Sequence, residues 1–219
     1  MTIGENDNIL DNFGGISKNS LLDIIDSVNK DDEEPNLFEL SMYIDNDALM
    51  NTLEEKKDVF KVLSLNCQSL CAKHDQLYVF VEVLNNNGIK FDAICLQETW
   101  VGENFDTNFL DLPGYELVSK PKTCSLHGGL AIYVRENLNY KVILSNINNS
   151  STWEHQFIEI IPDESNPIKI IIGNIYRLPK ETNNDYDMFI DELSHVLNNF
   201  ESDAKDVVLF GDYNIDPIR

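Results

Sequence analysis

Basic residues are scarce in this chain of 219 residues. Lysine and arginine together number 16, against 38 aspartates and glutamates, which gives a formal net charge of -22 at pH 7. Domains that bind nucleic acid mainly through charge carry a basic face. The composition therefore argues against tight electrostatic binding to a polyanion. A bound divalent cation would offset part of that repulsion locally.

The sequence also shows no pattern of a secretory signal, no long apolar run and no CxxC pair of cysteines. It starts MTIGENDNIL, without the basic segment and apolar stretch of a signal peptide. No apolar run approaches the length of a membrane span. The cysteines Cys67, Cys71, Cys95 and Cys124 include no CxxC pair, so a zinc site is not indicated and reduced thiols are expected. We expect a nuclear or cytoplasmic protein with no membrane partner.

The first 59 residues differ in composition from the rest. Of the 38 acidic residues, 15 precede Phe60. A short helix could start at Ser20, and Leu37 to Leu53 mixes acidic and apolar residues as disordered partner-binding segments do. We predict that residues 1–59 form an acidic, mostly disordered leader, with a protein partner as the alternative to simple solvation. Residues 60–219 are then the folded domain, long enough for one core.

The folded part opens with a βαβ pattern. Phe60 to Leu65 is a strand-like run, and Ser69 is a plausible N-cap for a helix that Asn85 to Gly88 ends. A second strand is predicted over Phe91 to Leu96. Two strands joined by a helix in this way are expected to be parallel.

The remaining pattern is mostly strand. Between Tyr115 and Ile175 the alternation predicts a meander of antiparallel strands. Asn183 to Phe200 carries an apolar stripe at helical spacing. Four consecutive apolar residues, Val207 to Phe210, predict a last strand buried on both faces. The paired glycines at 128 and 129 indicate close backbone approach or a bulge.

Polar side chains follow three of the predicted strands. Asn66, Glu98 and Asp212 each stand at a carboxyl end, where open α/β sheets bind ligands. Asn214 is two residues beyond Asp212, so in an extended stretch both side chains share one face. Carboxylate and neutral oxygens suit a hard divalent cation. The alternative for the last pair is an ordinary Asp/Asn turn.

Five motifs occur in order: LSLNCQSL (63–70), DAICLQETW (92–100), HGGLAIYV (127–134), GNIYRLP (173–179) and VLFGDYNID (208–216). Together they resemble the endonuclease/exonuclease/phosphatase superfamily, and most closely the endonuclease domain of LINE-type non-LTR retrotransposons. The resemblance implies a four-layer α/β sandwich, with two mixed β-sheets packed face to face and flanking helices. It also implies hydrolysis of DNA phosphodiester bonds with Mg²⁺ as cofactor and Mn²⁺ as the alternative ion.

The same resemblance assigns roles to individual residues. Glu98 would bind the metal with Asn66 beside it, and Asp212 would orient or deprotonate the attacking water. Asn214 would hydrogen-bond the transition state, and Tyr176 would position the scissile phosphate. Trp100 could stack on a base, although packing in the protein is the favoured interpretation.

One family element is absent from this sequence. The family carries a histidine in a Ser-Asp-His type motif after further strands, and no such motif precedes Arg219. We therefore expect a sandwich incomplete at its C-terminal side and impaired activity. Two alternatives stay open: a phosphoesterase of the same superfamily that acts on an inositol phosphate or lipid headgroup, and a non-catalytic acidic remnant or interaction protein.

Overall fold

A computed structural model of the chain describes residues 59–122, 127–145, 153–164, 169–179, 183–200 and 206–215. These residues form eight strands and two α-helices. The strands are β1 (Val62–Asn66), β2 (Ala93–Gln97), β3 (Tyr115–Lys120), β4 (Leu130–Arg135), β5 (Asn139–Ser145), β6 (Trp153–Ile161), β7 (Ile170–Arg177) and β8 (Asp206–Asp212). The helices are α1 (Leu70–Asn86) and α2 (Asn183–Asn198), and a short 3₁₀ turn spans Thr107–Leu110.

The strands form two mixed sheets of four. The first sheet has the order β1-β2-β4-β3 and the second has the order β5-β6-β7-β8. Strands β1 and β2 are parallel, as are β7 and β8, and the other neighbouring pairs are antiparallel. Each parallel pair is joined by a helix, because a parallel crossover needs a long connection. The predicted fold of two mixed sheets is confirmed.

Strand β2 shows how its sequence builds two hydrophobic layers. Its side chains alternate between the faces of the sheet. Ile94 and Leu96 pack under α1, in a cluster that includes Leu77 and Val81 of that helix. Ala93, Cys95 and their neighbours face the second sheet, in the cluster Ala93, Cys95, Ile132, Val134, Leu138, Ile158, Ile160 and Ile172. A strand covered on both sides must be apolar throughout, which explains the AICL run.

Helix α2 covers the outer face of the second sheet. Its Phe189 is 1% exposed and lies in a cluster with Trp153 and Ile175, against which Leu193 and Val196 pack. The order of layers is therefore α1, first sheet, second sheet, α2. Helix α1 starts as expected: the Ser69 side-chain oxygen accepts a hydrogen bond from the Ala72 N–H at 3.4 Å.

Two sequence expectations about the strands are wrong. The run Val207 to Phe210 is only half-buried, because β8 is the last strand in the order of its sheet rather than a central one. The strands between Tyr115 and Ile175 do not form one meander, because β3 and β4 lie in the first sheet and β5 to β7 in the second. The hydrophobic pattern alone does not reveal where a chain changes sheets.

The predicted leader, residues 1–59, lies outside the described residues apart from Val59, and Cys124 lies outside them as well. Within the described ranges, none of the helices has the length and apolar character needed to cross a bilayer.

Candidate functional site

The carboxyl ends of β1, β2 and β8 bring three polar side chains together, as the sequence predicted. Asn66 is the last residue of β1, Glu98 follows β2, and Asp212 ends β8. The Asn66 Nδ2 donates to Glu98 Oε1 at 2.7 Å and to Asp212 Oδ2 at 2.7 Å. Two carboxylates from different sheets thus converge on one amide, so the site spans both halves of the sandwich.

Backbone hydrogen bonds between the two loops fix Glu98 beside Asn66. The Cys67 N–H donates to the Gln97 carbonyl at 2.9 Å, and the Ser69 N–H donates to the Glu98 carbonyl at 2.8 Å. Glu98 itself has φ of 52° and is 9% exposed. A non-glycine residue in the left-handed region costs about 1–3 kcal/mol and persists only where its surroundings hold it. The loop geometry is therefore imposed on Glu98 by its neighbours.

Tyr176 lies near the end of β7 and joins the same group. It is 1% exposed, and its pKa is raised well above its ordinary value, first by burial and then by the carboxylates of Glu98, Asp212 and Glu154. A hydrogen bond to the Glu98 carboxylate contributes to the same shift. Tyr176 is therefore protonated at neutral pH and acts as a hydrogen-bond donor.

Asn214 is placed differently from the expectation. Its φ of 46° takes it out of the extended conformation, so the prediction of an extended stretch shared with Asp212 is wrong at this residue. Its Nδ2 donates to the Arg177 carbonyl at 2.7 Å, and Arg177 Nη1 donates back to the Asn214 carbonyl at 2.9 Å. The Asn214 backbone N–H donates to Asp212 Oδ1 at 3.1 Å, which closes the turn after β8. Asp212 therefore ends a strand, as predicted, and also begins an Asp/Asn turn, the alternative interpretation. The hydrogen bond within this turn fixes the Asp212 carboxylate.

Two side chains at the rim were not assigned to the site from sequence. Trp100 is 37% exposed, and its Nε1 donates to Glu98 Oε2 at 3.3 Å, so it is not a packed core residue. His127 Nδ1 lies 3.9 Å from the same Glu98 oxygen, and its ring meets the Trp100 ring edge-on at 6.0 Å between centroids. The position of His127 directly before the paired glycines was the available signal.

Glu154 is a third residue that sequence reasoning missed. It is 1% exposed near the start of β6, directly opposite Tyr176 in the ladder, and its Oε2 accepts from the Gly129 N–H at 2.6 Å. Its segment carried only a strand pattern, so the sequence offered no signal for a role at the site.

The residues present fit a hard divalent cation. The Glu98 and Asp212 carboxylates and the Asn66 amide offer oxygen donors around one point. The Asn66 Nδ2 occupies that point here, and a turn about its Cβ–Cγ bond would present Oδ1 instead. Within the described ranges, no three His, Cys, Asp or Glu side chains form a metal-binding group. A cation held here would keep water or substrate oxygens as further ligands, as Mg²⁺ usually does.

A cavity of about 620 Å³ lies elsewhere, at the opposite edge of the first sheet. Tyr115, Asp111, Glu116 and Glu136 are among the residues that line it. Strand β3 begins there and ends at Lys120, opposite Leu130 of β4, which in turn pairs with Gln97 at the carboxyl end of β2. Asn66, Glu98 and Asp212 are not among the residues that line the cavity, and so it is not part of the candidate site.

Comparison with known proteins gives both a family and a set of similar structures. Residues 63–219 match the model of the Endonuclease/Exonuclease/phosphatase family. The AP endonuclease LMAP from Leishmania major has a TM-score of 0.57 at 15% identity, over 96% of this chain and 67% of that one. The human Nocturnin catalytic domain has a TM-score of 0.52 at 16% identity, over 73% of this chain and 65% of that one.

A third similar structure carries nucleic acid. The 3′ phosphatase NExo from Neisseria, bound to a product DNA hairpin, has a TM-score of 0.50 at 18% identity, over 73% of this chain and 59% of that one. A search of the curated proteins found no match. The chain thus spans 59% to 67% of the length of these three structures, and at such identities the likeness establishes the fold.

Proposed function

The chain belongs to the endonuclease/exonuclease/phosphatase family, and from this premise we propose that it is a metal-dependent phosphodiester hydrolase that acts on DNA. The observation that supports this most is the convergence of Glu98 and Asp212 on Asn66, with the protonated Tyr176 beside them. A carboxylate for a metal, a carboxylate for a water and a hydrogen-bond donor for the phosphate are groups that support in-line hydrolysis of a phosphodiester.

Glu98 and Asn66 would hold a Mg²⁺ or Mn²⁺ ion. When bound, such an ion supplies positive charge to the phosphoryl and leaving oxygens. Glu98 is suited to this because the loop backbone and the Trp100 Nε1 hydrogen bond fix its carboxylate. Asn66 connects the metal side of the site with Asp212 through its amide.

Asp212 would act on the nucleophile. Its carboxylate lies at the end of β8 and would accept a proton from the water whose oxygen attacks phosphorus, while the bond from phosphorus to the leaving oxygen breaks. Tyr176 would donate a hydrogen bond from its hydroxyl group to a non-bridging phosphate oxygen. Asn214 would stabilise the transition state, which requires its Nδ2 to leave the Arg177 carbonyl.

The choice of DNA as substrate rests on two supports. The five motifs from Leu63 to Asp216 resemble a retrotransposon-type endonuclease, and similar structures include an AP endonuclease and a 3′ phosphatase with a DNA hairpin. We therefore propose a retrotransposon-type endonuclease role for residues 60–219. A phosphoesterase for inositol phosphates or lipid headgroups is the runner-up within the family.

A second candidate function is a non-catalytic interaction protein. The net charge of -22 favours it, because a polyanionic substrate is repelled unless cations intervene. An acidic protein of this kind would bind a basic partner and show no metal-dependent hydrolysis.

Nicking of supercoiled plasmid in Mg²⁺ or Mn²⁺ distinguishes these candidates. In keeping with the impaired activity expected from the sequence, we expect weak metal-dependent nicking by the 219-residue chain. Asp212→Asn should reduce it about 100-fold or more, since a positioned acid or base contributes about 10²–10⁴-fold. Asp206→Asn is the matched control, because Asp206 is exposed at the other end of the same strand. Nicking that Asp212→Asn leaves unchanged, or that needs no metal, would contradict the proposal.

A further inference from the structure

Glu154 is a carboxylate in an environment that normally excludes one. It is 1% exposed, in the second sheet, whereas Glu98 follows a strand of the first sheet. Burying a charge is costly unless hydrogen bonds or an opposite charge compensate. Glu154 has both: its Oε2 accepts from the Gly129 N–H at 2.6 Å, and it interacts electrostatically with the buried Lys120. Burying the Glu154 carboxylate therefore has an energetic cost, and the protein keeps the carboxylate there in a specific contact with Gly129.

The turn that Glu154 contacts strongly favours glycine at two positions. Gly128 and Gly129 have φ of 92° and 84°. A Cβ on Gly128 would lie 2.8 Å from Glu154 Oε1, and one on Gly129 would lie 2.5 Å from Thr99 Oγ1. The two glycines thus lie between the Glu154 carboxylate on one side and the segment after β2 on the other.

The same turn holds the segment that carries Glu98. The Gly129 carbonyl accepts from the Thr99 N–H at 3.1 Å, and the Gly128 carbonyl accepts from the Trp100 N–H at 3.0 Å. Glu98 and Trp100 both have positive φ, of 52° and 56°, so this segment needs external support to keep its shape. The two glycine carbonyls supply that support.

We propose that Glu154 is a positioning residue for Glu98: its carboxylate anchors the Gly128–Gly129 turn, and the turn holds the metal-binding carboxylate in place. This rests on the proposed metal-binding role of Glu98. Glu154 itself does not touch the reacting atoms. Residues that orient a metal ligand through an intervening bond typically change metal affinity by about 10–100-fold when removed.

The test compares three variants of the full chain by two measurements. Amide hydrogen exchange in the absence of metal measures how firmly the turn is held. Mn²⁺ titration followed by electron paramagnetic resonance measures the metal affinity of the site that contains Glu98. We expect Glu154→Ala to speed exchange at the Gly129 and Trp100 amides about tenfold and to raise the Mn²⁺ dissociation constant about tenfold. Glu154→Gln keeps an acceptor oxygen for the Gly129 N–H and should restore both values to within about twofold.

Glu159→Ala is the matched control. Glu159 is a buried carboxylate on the same strand, paired with Lys141 at 2.8 Å and remote from the turn. It should lower stability without changing either readout at the site. If Glu154→Ala is too unstable to measure, Glu154→Asp should produce the same two changes, because its carboxylate is one methylene shorter and would be withdrawn from the Gly129 N–H.

The outcomes separate this inference from the proposed function. Unchanged exchange at the Gly129 and Trp100 amides in Glu154→Ala would overturn the inference. Faster exchange with unchanged Mn²⁺ affinity would also overturn it, because the turn would then not position Glu98. If the unsubstituted chain binds no Mn²⁺, the proposed metal-dependent function fails, and the exchange data alone decide whether Glu154 anchors the turn.

Discussion

Burial determines the ionisation of several side chains around the site. Burial lowers the pKa of Lys120 from 10.5 to about 8, partly opposed by the nearby Glu154 carboxylate. Burial also lowers the pKa of His155 to about 3, with the Lys120 charge as a smaller cause. Lys120 Nζ donates to the His155 carbonyl at 3.2 Å. Lys120 is thus a cation retained at neutral pH between a carboxylate and a carbonyl.

The lowered pKa of Lys120 predicts a pH-dependent stability. Between pH 8 and 10.5 the unfolded chain holds the lysine proton more firmly than the folded chain does. The free energy of unfolding contributed by Lys120 therefore rises with pH in this window and is constant below it. From pH 8 to 10 the unsubstituted chain should gain about 2 kcal/mol relative to Lys120→Met, by urea denaturation.

Comparing the unsubstituted chain with Lys120→Met cancels the contributions that other titrating groups make to the pH dependence of stability. Burial raises the pKa of Cys67 from 9.0 to about 12, which lowers stability above pH 9, but in both proteins alike. Lys90→Met is a suitable control, since it removes one positive charge at an exposed position. A flat difference between the unsubstituted chain and Lys120→Met would show that Lys120 does not titrate in this range.

At the scale of elements, the placement of Asp212 depends on how β8 lies against β7. The two strands are parallel, with Gly211 opposite Ile175 and Asp212 opposite Tyr176. A Cβ on Gly211 would lie 2.0 Å from the Ile175 carbonyl oxygen, which is backbone and cannot move aside. Glycine at this position lets the strand end run close enough to β7 to place Asp212 beside Tyr176.

A Gly211→Ala variant should consequently lose both stability and site geometry. We expect the free energy of unfolding to fall by about 3 kcal/mol, in the range of overpacking by a single methyl group. Gly102→Ala is the control, because a Cβ there meets nothing within 4 Å. Thermal unfolding of both variants measures the difference, and equal melting temperatures would refute the assigned role of Gly211.

The positions of the helices and strands were largely predictable from the sequence, whereas the assembly of the strands into two sheets was not. The spacing of apolar residues predicted α1 and α2, and the polar residues after each strand predicted that Asn66, Glu98 and Asp212 would meet. The edge position of β8 and the change of sheet between β4 and β5 depend on long-range pairing, which leaves no local pattern. The contact of Glu154 with Gly129 depends on the same pairing and was missed for the same reason.

At the scale of the whole molecule, the site lies where the two sheets are bonded to each other. Asn174 of β7 is fully buried, accepts from Gln97 Nε2 at 2.6 Å, and donates to the Leu96 and Ala131 carbonyls at 3.0 Å. A buried amide with these partners fixes the relative position of the sheets. The Glu98 and Asp212 carboxylates, one from each sheet, are thereby kept together.

Keeping carboxylates together in a chain of net charge -22 is unfavourable without a cation. Glu98, Asp212 and Glu154 all act on Tyr176, and the basic groups in this region include Lys120, Arg177 and the exposed His127. A divalent cation would relieve this repulsion and would also offset the charge of an approaching phosphodiester. The proposed hydrolysis thus depends on metal binding at Glu98.

Titration of the full chain with Mn²⁺, followed by electron paramagnetic resonance, measures that binding directly. We expect a saturable site that Glu98→Gln weakens about tenfold or more and that Glu103→Gln, at an exposed position in the next loop, leaves unchanged. Equal affinities for the unsubstituted chain and Glu98→Gln would contradict this expectation, as would weak, non-saturating binding that both substitutions reduce alike.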